Sequence, residues 1–266
     1  VNTFYKRLTF VLNGEYKLKP WLTSYSGLNY ANARWRDPAT NNEGNYLSRS
    51  LGAPPTMRGY NENGELLLGR DVSDGNPLVN DEKFIRKNSS DKFTMSQALK
   101  IDFMKNLYLK ASANVYYSES YIESFNRDYL QSPGNRNTTR SSSASFSRDI
   151  SQTYNAVLNY SGQVADKHHY ELMAGSEYYD IYRRGLSASG SGAPTDDFSD
   201  LALTSTDAQR RSTDTYHDRQ RILSFFGRAN YDYKDRYLLS VTFRRDGYST
   251  LINNRWGNFL GFSGGW

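Results

Sequence analysis

The sequence predicts an all-β fold, an antiparallel transmembrane β-barrel of which this chain supplies about eight or nine strands. Three observations predict it. Apolar and polar residues alternate with a period of two in paired segments, short turns and long polar loops alternate between those segments, and aromatic residues make up 15% of the 266 residues. Tyrosine alone accounts for 22 of them, and tyrosine suits a surface that is apolar along the ring and wet at the hydroxyl.

The clearest alternation flanks the short turn at 233–236. We expect one face of this hairpin to meet the bilayer, and it carries Leu223, Phe225, Ala229, Tyr231, Leu239, Val241 and Phe243. The other face is polar and is expected to line the lumen, with Arg228, Asn230, Asp232 and Arg244. By the same alternation, Lys100, Asp102, Lys110 and Asn114 are lumen-facing candidates. Such residues either line a path through the barrel or only satisfy one another across neighbouring strands.

Three further hairpins are predicted, from segments 8–16 with 21–30, 93–103 with 107–117, and 154–160 with 170–182. A ninth candidate strand covers 255–266. The longer segments, at 11 to 13 residues, exceed the usual soluble strand and suit a tilted crossing of a bilayer. Aromatic residues near the strand ends are expected to form interfacial girdles: Tyr16, Trp21, Tyr30, Tyr108, Tyr117, Tyr160, Tyr170, Tyr233 and Tyr237.

The connections between hairpins are predicted at 35–91, 122–148, 185–218 and 247–254, and three of them are long and rich in Gly, Ser, Asn and Asp. Short turns at one end and long loops at the other indicate a periplasmic and an extracellular side. Loop aromatics either stack on sugar rings or pack within the loops, and the candidates are Trp35, Tyr46, Tyr60, Phe125 and Tyr129.

Several classes of function are excluded or disfavoured. The absence of cysteine excludes disulfides, thiolate metal sites and cysteine nucleophiles. The net charge of +5 is spread over 33 basic and 28 acidic residues, so we expect no nucleic-acid partner. The histidines are His168, His169 and His217, and no catalytic arrangement surrounds them, so we expect no enzyme, no cofactor and no metal. The acidic stretch 71–82 lacks the spacing of a calcium loop and is interpreted as a polar turn.

One resemblance adds to this interpretation. The phrases FFGRANYDYKDRYLL at 225–239, RDG at 245–247 and RWGNF at 255–259 resemble the barrel signature of SusC/RagA-type TonB-dependent outer-membrane transporters of Bacteroidetes. The match covers about 45 residues, and it departs from the pattern at Tyr248, where serine is usual, and at Leu260-Gly261, where Pro-Ser is usual.

The resemblance implies a barrel of about 22 strands that is filled by an N-terminal plug and lies in the bacterial outer membrane. It implies import of oligosaccharides or peptides, with a SusD-like surface lipoprotein and the TonB–ExbB–ExbD complex as partners and outer-membrane lipid as surroundings. Residues 1–266 would then be part of one barrel domain, without the plug and without the C-terminal strands.

Two alternatives remain at this point. Eight strands are enough to close a small stand-alone outer-membrane barrel, such as an adhesin. Long loops and tyrosine-rich strands also occur in a soluble carbohydrate-binding β-sandwich.

Overall fold

The computed structural model describes residues 3–37, 51, 52, 55, 56, 58–65, 67, 76, 84–132 and 135–266. Nine strands form one antiparallel sheet. They are β1 (Phe4–Lys19), β2 (Leu22–Arg36), β3 (Phe84–Met104), β4 (Leu107–Asn126), β7 (Ser141–Val164), β8 (His168–Ser191), β9 (Arg211–Tyr233), β10 (Tyr237–Tyr248) and β11 (Trp256–Gly265). β5 (Tyr129–Ser132) and β6 (Asn135–Asn137) form a separate small hairpin.

The order of the strands in the large sheet follows the order of the chain, so each strand pairs with its neighbours in sequence apart from the β5–β6 excursion. The prediction of an all-β antiparallel wall with four hairpins and a ninth strand is therefore confirmed. β1 and β11 are the two edges of this sheet, so the strands that the structure describes do not close on themselves. Within the described residues, no helix has the length and apolar character needed to cross a membrane.

Several strands are longer than their sequence pattern predicted. β7 and β8 have 24 residues each, and the stretches between consecutive strands of the large sheet are 37–83, 127–140, 192–210 and 249–255, each shorter than the loop predicted there. Trp35 and Phe125 therefore lie in β2 and β4, and their assignment to loops was wrong. The serine-rich start of β7 pairs with β4 and β8 along its whole length without apolar alternation. Alternation requires one apolar face, whereas the backbone hydrogen bonds of a ladder do not.

The strand register extends the two faces across the whole sheet. One apolar row crosses eight strands: Leu22, Ile101, Leu109, Leu158, Ala174, Gly227, Phe243 and Leu260. The neighbouring row on the opposite face is Lys100, Lys110, Val157, Gly175, Phe226 and Arg244. We call these the apolar face and the polar face.

The apolar face has no protein layer packed on it in the described part of the chain. In the whole described part of the chain, the buried hydrophobic residues are only Ala31, Phe125, Ile181 and Ala193, whereas on the apolar face Leu12 is 59% exposed and Phe262 is 73% exposed. A β-sandwich would cover this face with a second sheet. The structure therefore does not support the soluble sandwich, and the apolar face requires an apolar surrounding medium.

Two of the short turns have the same geometry. Ala165 and Asp166 both have φ of 52°, and Lys234 and Asp235 have φ of 60° and 54°. The amide of the residue after each pair bonds back to the carbonyl before it, at 3.3 Å for Lys167 to Val164 and 3.1 Å for Arg236 to Tyr233. These are type I′ turns, the type that matches the twist of antiparallel strands.

Replacing Ala165 by glycine is expected to stabilise the full-length protein by about 1 kcal/mol, because glycine adopts positive φ without the steric cost of a Cβ. The measurement is thermal unfolding in detergent. Ala174→Gly is the matched control in the middle of β8, where glycine is expected to destabilise by about 0.5–1 kcal/mol. An Ala165→Gly protein no more stable than the parent would contradict the assigned turn.

Candidate lumenal site

The eight predicted lumen residues all lie on the polar face. Lys100, Asp102, Lys110 and Asn114 lie on β3 and β4, and Arg228, Asn230, Asp232 and Arg244 lie on β9 and β10. Strands β7 and β8 separate the two groups. They are therefore two clusters on one surface.

In the β3–β4 cluster, most charges are already engaged. Lys100 Nζ lies 2.9 Å from Asp102 Oδ1 and 4.9 Å from the centre of the Tyr108 ring. Lys110 Nζ lies 5.8 Å from the centre of the Tyr25 ring. Tyr108 thus lies on the polar face, and its predicted place in a lipid-facing girdle was wrong. Asn114 has no polar partner among the residues that the structure describes.

The β9–β10 cluster centres on Arg244. Its Nε donates to Asp246 at 2.8 Å, and its Nη2 donates to Ser224 at 3.0 Å and to Glu177 at 3.4 Å. Asp246 and Ser224 are buried. The guanidinium carbon also lies 5.6 Å from the centre of the Phe226 ring. Sequence analysis found Arg244 but missed its three polar partners, of which only Asp246, two residues along the same strand, was accessible from alternation.

Near the short turns, a third group gathers around Asp232. His169 Nδ1 lies 3.4 Å from Asp232 and 3.9 Å from Asp235. The possible ligand atoms of these three residues lie within 4.8 Å of one another. Among the described residues, these three are the group whose spacing would allow metal coordination. Asp235 is 89% exposed at its side chain, and its backbone amide donates to Asp232 at 2.9 Å. Asn230, one step away, accepts from Ser240 at 2.7 Å.

Arg228 differs from the other charged lumen candidates. It is exposed, and the described part of the chain gives it no ion pair, no hydrogen bond and no contact with an aromatic ring. Together with Asn114, it therefore keeps polar groups available to a molecule on the polar face.

The loop end of the polar face carries a groove of about 400 Å³. Its lining is rich in hydroxyl and amide groups, including Ser124, Asn126, Ser141, Ser143, Ser189, Ser191, Gln209 and Ser212. Sequence analysis did not predict this groove, because serine runs on strands had been interpreted as loops.

The loop aromatics do not gather into one site. Phe125 is 1% exposed and offers no ring face, Tyr60 is 49% exposed, and the ring centre of Trp35 lies 6.3 Å from that of Tyr5. Tyr129 lies in β5, and Tyr46 lies outside the described residues. Of the stretch 71–82, the structure describes only Asn76, which donates to the carbonyls of Gly59 and Leu67 at 2.8 Å each.

A set of ion pairs joins two of the long loops. Arg140 donates to Asp196 at 2.8 Å and to Asp128 at 3.3 Å, and Arg136 donates to Asp128 at 2.6 Å. Burial alone would raise the pKa of Asp196, but the hydrogen bonds from Arg140 and from the backbone amide of Asp128 outweigh it and hold that pKa below its usual value. We call these four residues the loop clamp.

Acidification is expected to release the loop clamp. Because the folded-state pKa of Asp196 is depressed, its stabilising contribution is present above the ordinary aspartate pKa and is lost as pH falls below it. Proteolysis of loops 127–140 and 192–210 should therefore rise below about pH 4. Arg140→Gln should raise cleavage already at neutral pH and flatten this dependence. An unchanged pH profile in Arg140→Gln would contradict the role of Arg140.

Known proteins with a similar sequence or fold indicate what kind of wall these strands form. No protein-family model matches the chain. It is 31% identical over 115 residues to the TonB-dependent receptor SusC of Bacteroides thetaiotaomicron, an alignment that covers 43% of this chain and 11% of SusC. It is 26% identical over 214 residues to the TonB-dependent receptor P26 of Formosa agariphila, covering 75% of this chain and 20% of that receptor.

Among solved structures, the RagAB peptide transporter superposes with a TM-score of 0.80 at 22% identity, covering 98% of this chain and 30% of that chain. The chain has the fold of part of the RagAB barrel and is similar in sequence to TonB-dependent receptors such as SusC. The ferric preacinetobactin receptor BauA of Acinetobacter baumannii has the same kind of fold at a lower TM-score of 0.54 and 10% identity, covering 99% of this chain and 37% of that chain.

This barrel segment belongs to the outer membrane, as the sequence predicted, and its apolar face is the side that suits lipid. Tyrosines of that face lie near both ends of the apolar rows, with Tyr160, Tyr170 and Tyr237 toward the short turns and Tyr30 and Tyr117 toward the long loops. Such aromatic girdles mark the two membrane interfaces of outer-membrane barrels.

Proposed function

We propose that the chain forms part of the wall of an active importer of large nutrients, either oligosaccharides or peptides, driven by TonB. The observation that carries this proposal is the 31% identity to the receptor SusC over 115 residues. The relatives found are receptors and transporters rather than enzymes, and we propose that this chain likewise catalyses no reaction.

The chain spans about a fifth or less of the length of the curated relatives that it matches. We propose that residues 1–266 all belong to one barrel domain, and that the plug and the other strands of a wall of about 22 lie elsewhere in a longer protein. The exposed edge supports this. Every residue of β1 is exposed, and a long unpaired edge strand is a liability that barrels remove by closure.

The partners proposed for the whole protein are a SusD-like lipoprotein at the loop end and the TonB–ExbB–ExbD complex, which would act through the N-terminal part of the longer protein. The hydroxyl-lined groove and the loop clamp lie at the loop end, where a surface lipoprotein would meet the barrel. On the polar face, the free groups of Arg228 and Asn114 are suited to hydrogen bonding with either class of cargo.

The proposal is tested in the source bacterium by deleting the gene and measuring uptake of fluorescent oligosaccharide and peptide mixtures. Uptake of at least one class should fall on deletion, return on complementation and stop when a protonophore removes the energy supply for TonB. If deletion of the gene leaves the uptake of both classes unchanged, the proposed import function is overturned.

A further inference from the structure

A group of arginines lies on the apolar side of the sheet, in the loop-side aromatic row and in the same-face positions on either side of it. Arg148 on β7 is directly opposite Arg184 on β8, and Arg184 is directly opposite His217 on β9. On the same face of β9, Arg219 is directly opposite Tyr182, and Arg221 is one same-face step closer to the middle of the sheet. We call Arg148, Arg184, Arg219 and Arg221 the arginine belt.

The carboxylates beside the belt do not neutralise it. Glu119 accepts from Arg148 at 2.8 Å, and Asp180 accepts from both Arg219 and Arg221, at 2.7 Å and 3.1 Å. Four arginines therefore share two carboxylates. The next carboxylate along the row, Asp91 on β3, is engaged by Tyr30 and Asn32 on β2.

Arg184 has no compensating charge. It is exposed, and the part of the chain that the structure describes gives it neither a hydrogen bond nor an ion pair. Cross-strand neighbours with like charge are unfavourable, and here Arg148 lies directly opposite Arg184 at the spacing of adjacent strands. An anion that reaches Arg184 from outside would relieve this repulsion.

The position of the belt indicates which anion. On β8, Arg184 is one same-face step beyond Tyr182, which lies in the row of Tyr30 and Tyr117 in the girdle. Lipid headgroups lie at the level of such girdles, and guanidinium groups match phosphate oxygens bidentately. We propose that the arginine belt binds the phosphate groups of anionic lipids at the outer surface of the membrane. This inference rests on the proposed membrane-embedded wall.

The test uses the full-length protein in detergent, stripped of lipid and titrated with phosphatidic acid or phosphatidylcholine, with bound lipid counted by native mass spectrometry. Phosphatidic acid should bind more tightly, and Arg184→Gln should weaken it about tenfold, as expected for one charge-assisted contact. Arg183→Gln is the matched control, because Arg183 lies on the polar face beside Asp218 and should leave lipid binding unchanged. Because Arg184 has no partner in the described chain, its replacement removes no ion pair of the fold.

Each other outcome overturns the inference. Equal affinity for the two lipids, or equal effects of Arg184→Gln and Arg183→Gln, would do so. Displacement of phosphatidic acid by equimolar inorganic phosphate would also do so, since it would indicate a free-anion site. If the protein needs detergent but shows no preference for phosphatidic acid, the lipid-binding inference is contradicted and the membrane-embedded wall is not. If the protein stays monodisperse in water without detergent, the membrane-embedded wall is contradicted as well.

Discussion

Arg244→Met is expected to destabilise the full-length barrel by about 2 kcal/mol, measured as a shift in urea unfolding in lipid vesicles. The variant leaves buried Asp246 without its charged partner and Ser224 without its hydrogen bond. The expected cost is below that of a fully buried pair, because the Arg244 side chain is 43% exposed and water screens part of the interaction.

Arg245→Met is the matched control for this prediction. Arg245 is the next residue and lies on the apolar face, with its guanidinium 5.0 Å from the centre of the Trp256 ring. Its loss removes a cation–π contact worth about 0.5–1 kcal/mol at an exposed site. Equal effects of the two variants would contradict the assigned role of Arg244, whereas partial rescue by Arg244→Lys would support it.

The second large effect is expected from Val241→Arg, which should destabilise the barrel by about 2–4 kcal/mol. Val241 lies on the apolar face near the middle of β10, opposite Ala229 and Phe262, so the new charge would meet hydrocarbon. The measurement is the same unfolding titration in vesicles.

Thr242→Arg provides the comparison on the polar face. It places an arginine opposite Arg228, and this repulsion should cost less than about 1 kcal/mol in a wet lumen. A Thr242→Arg protein as unstable as the Val241→Arg protein would mean that both faces of β10 are equally dry.

The sequence predicted the hairpins well where one face is apolar. The residues on either side of 233–236 alternate because one face of the hairpin is apolar. This alternation predicted the paired parts of β9 and β10. It also predicted which residues lie on the polar face, namely Arg228, Asn230, Asp232 and Arg244. The start of β7, at 141–147, carries no such signal, because serine occupies positions on both of its faces. Its strand character depends on pairing with β4 and β8, which is a property of the register rather than of local composition.

The clusters were less predictable than the faces. Arg244 and Glu177 are 67 residues apart in sequence, and the Arg184–Arg148 neighbourhood depends on the stagger of β7 against β8. A shift of one residue in either register would move each arginine to the opposite face. Sequence patterns fix the parity of a strand but not its offset from the next strand, so partners across strands could not be assigned.

The central claim is that the apolar face of this wall meets lipid and the polar face meets water. The 266 residues contain no cysteine, so spin labels on cysteines introduced one at a time at 239–243 test it directly, in full-length protein in vesicles from which any cysteine outside these residues has been removed. Labels at Leu239, Val241 and Phe243 should be relaxed mainly by oxygen, and labels at Ser240 and Thr242 mainly by a water-soluble nickel complex. Equal accessibility to both reagents along the strand would contradict the claim.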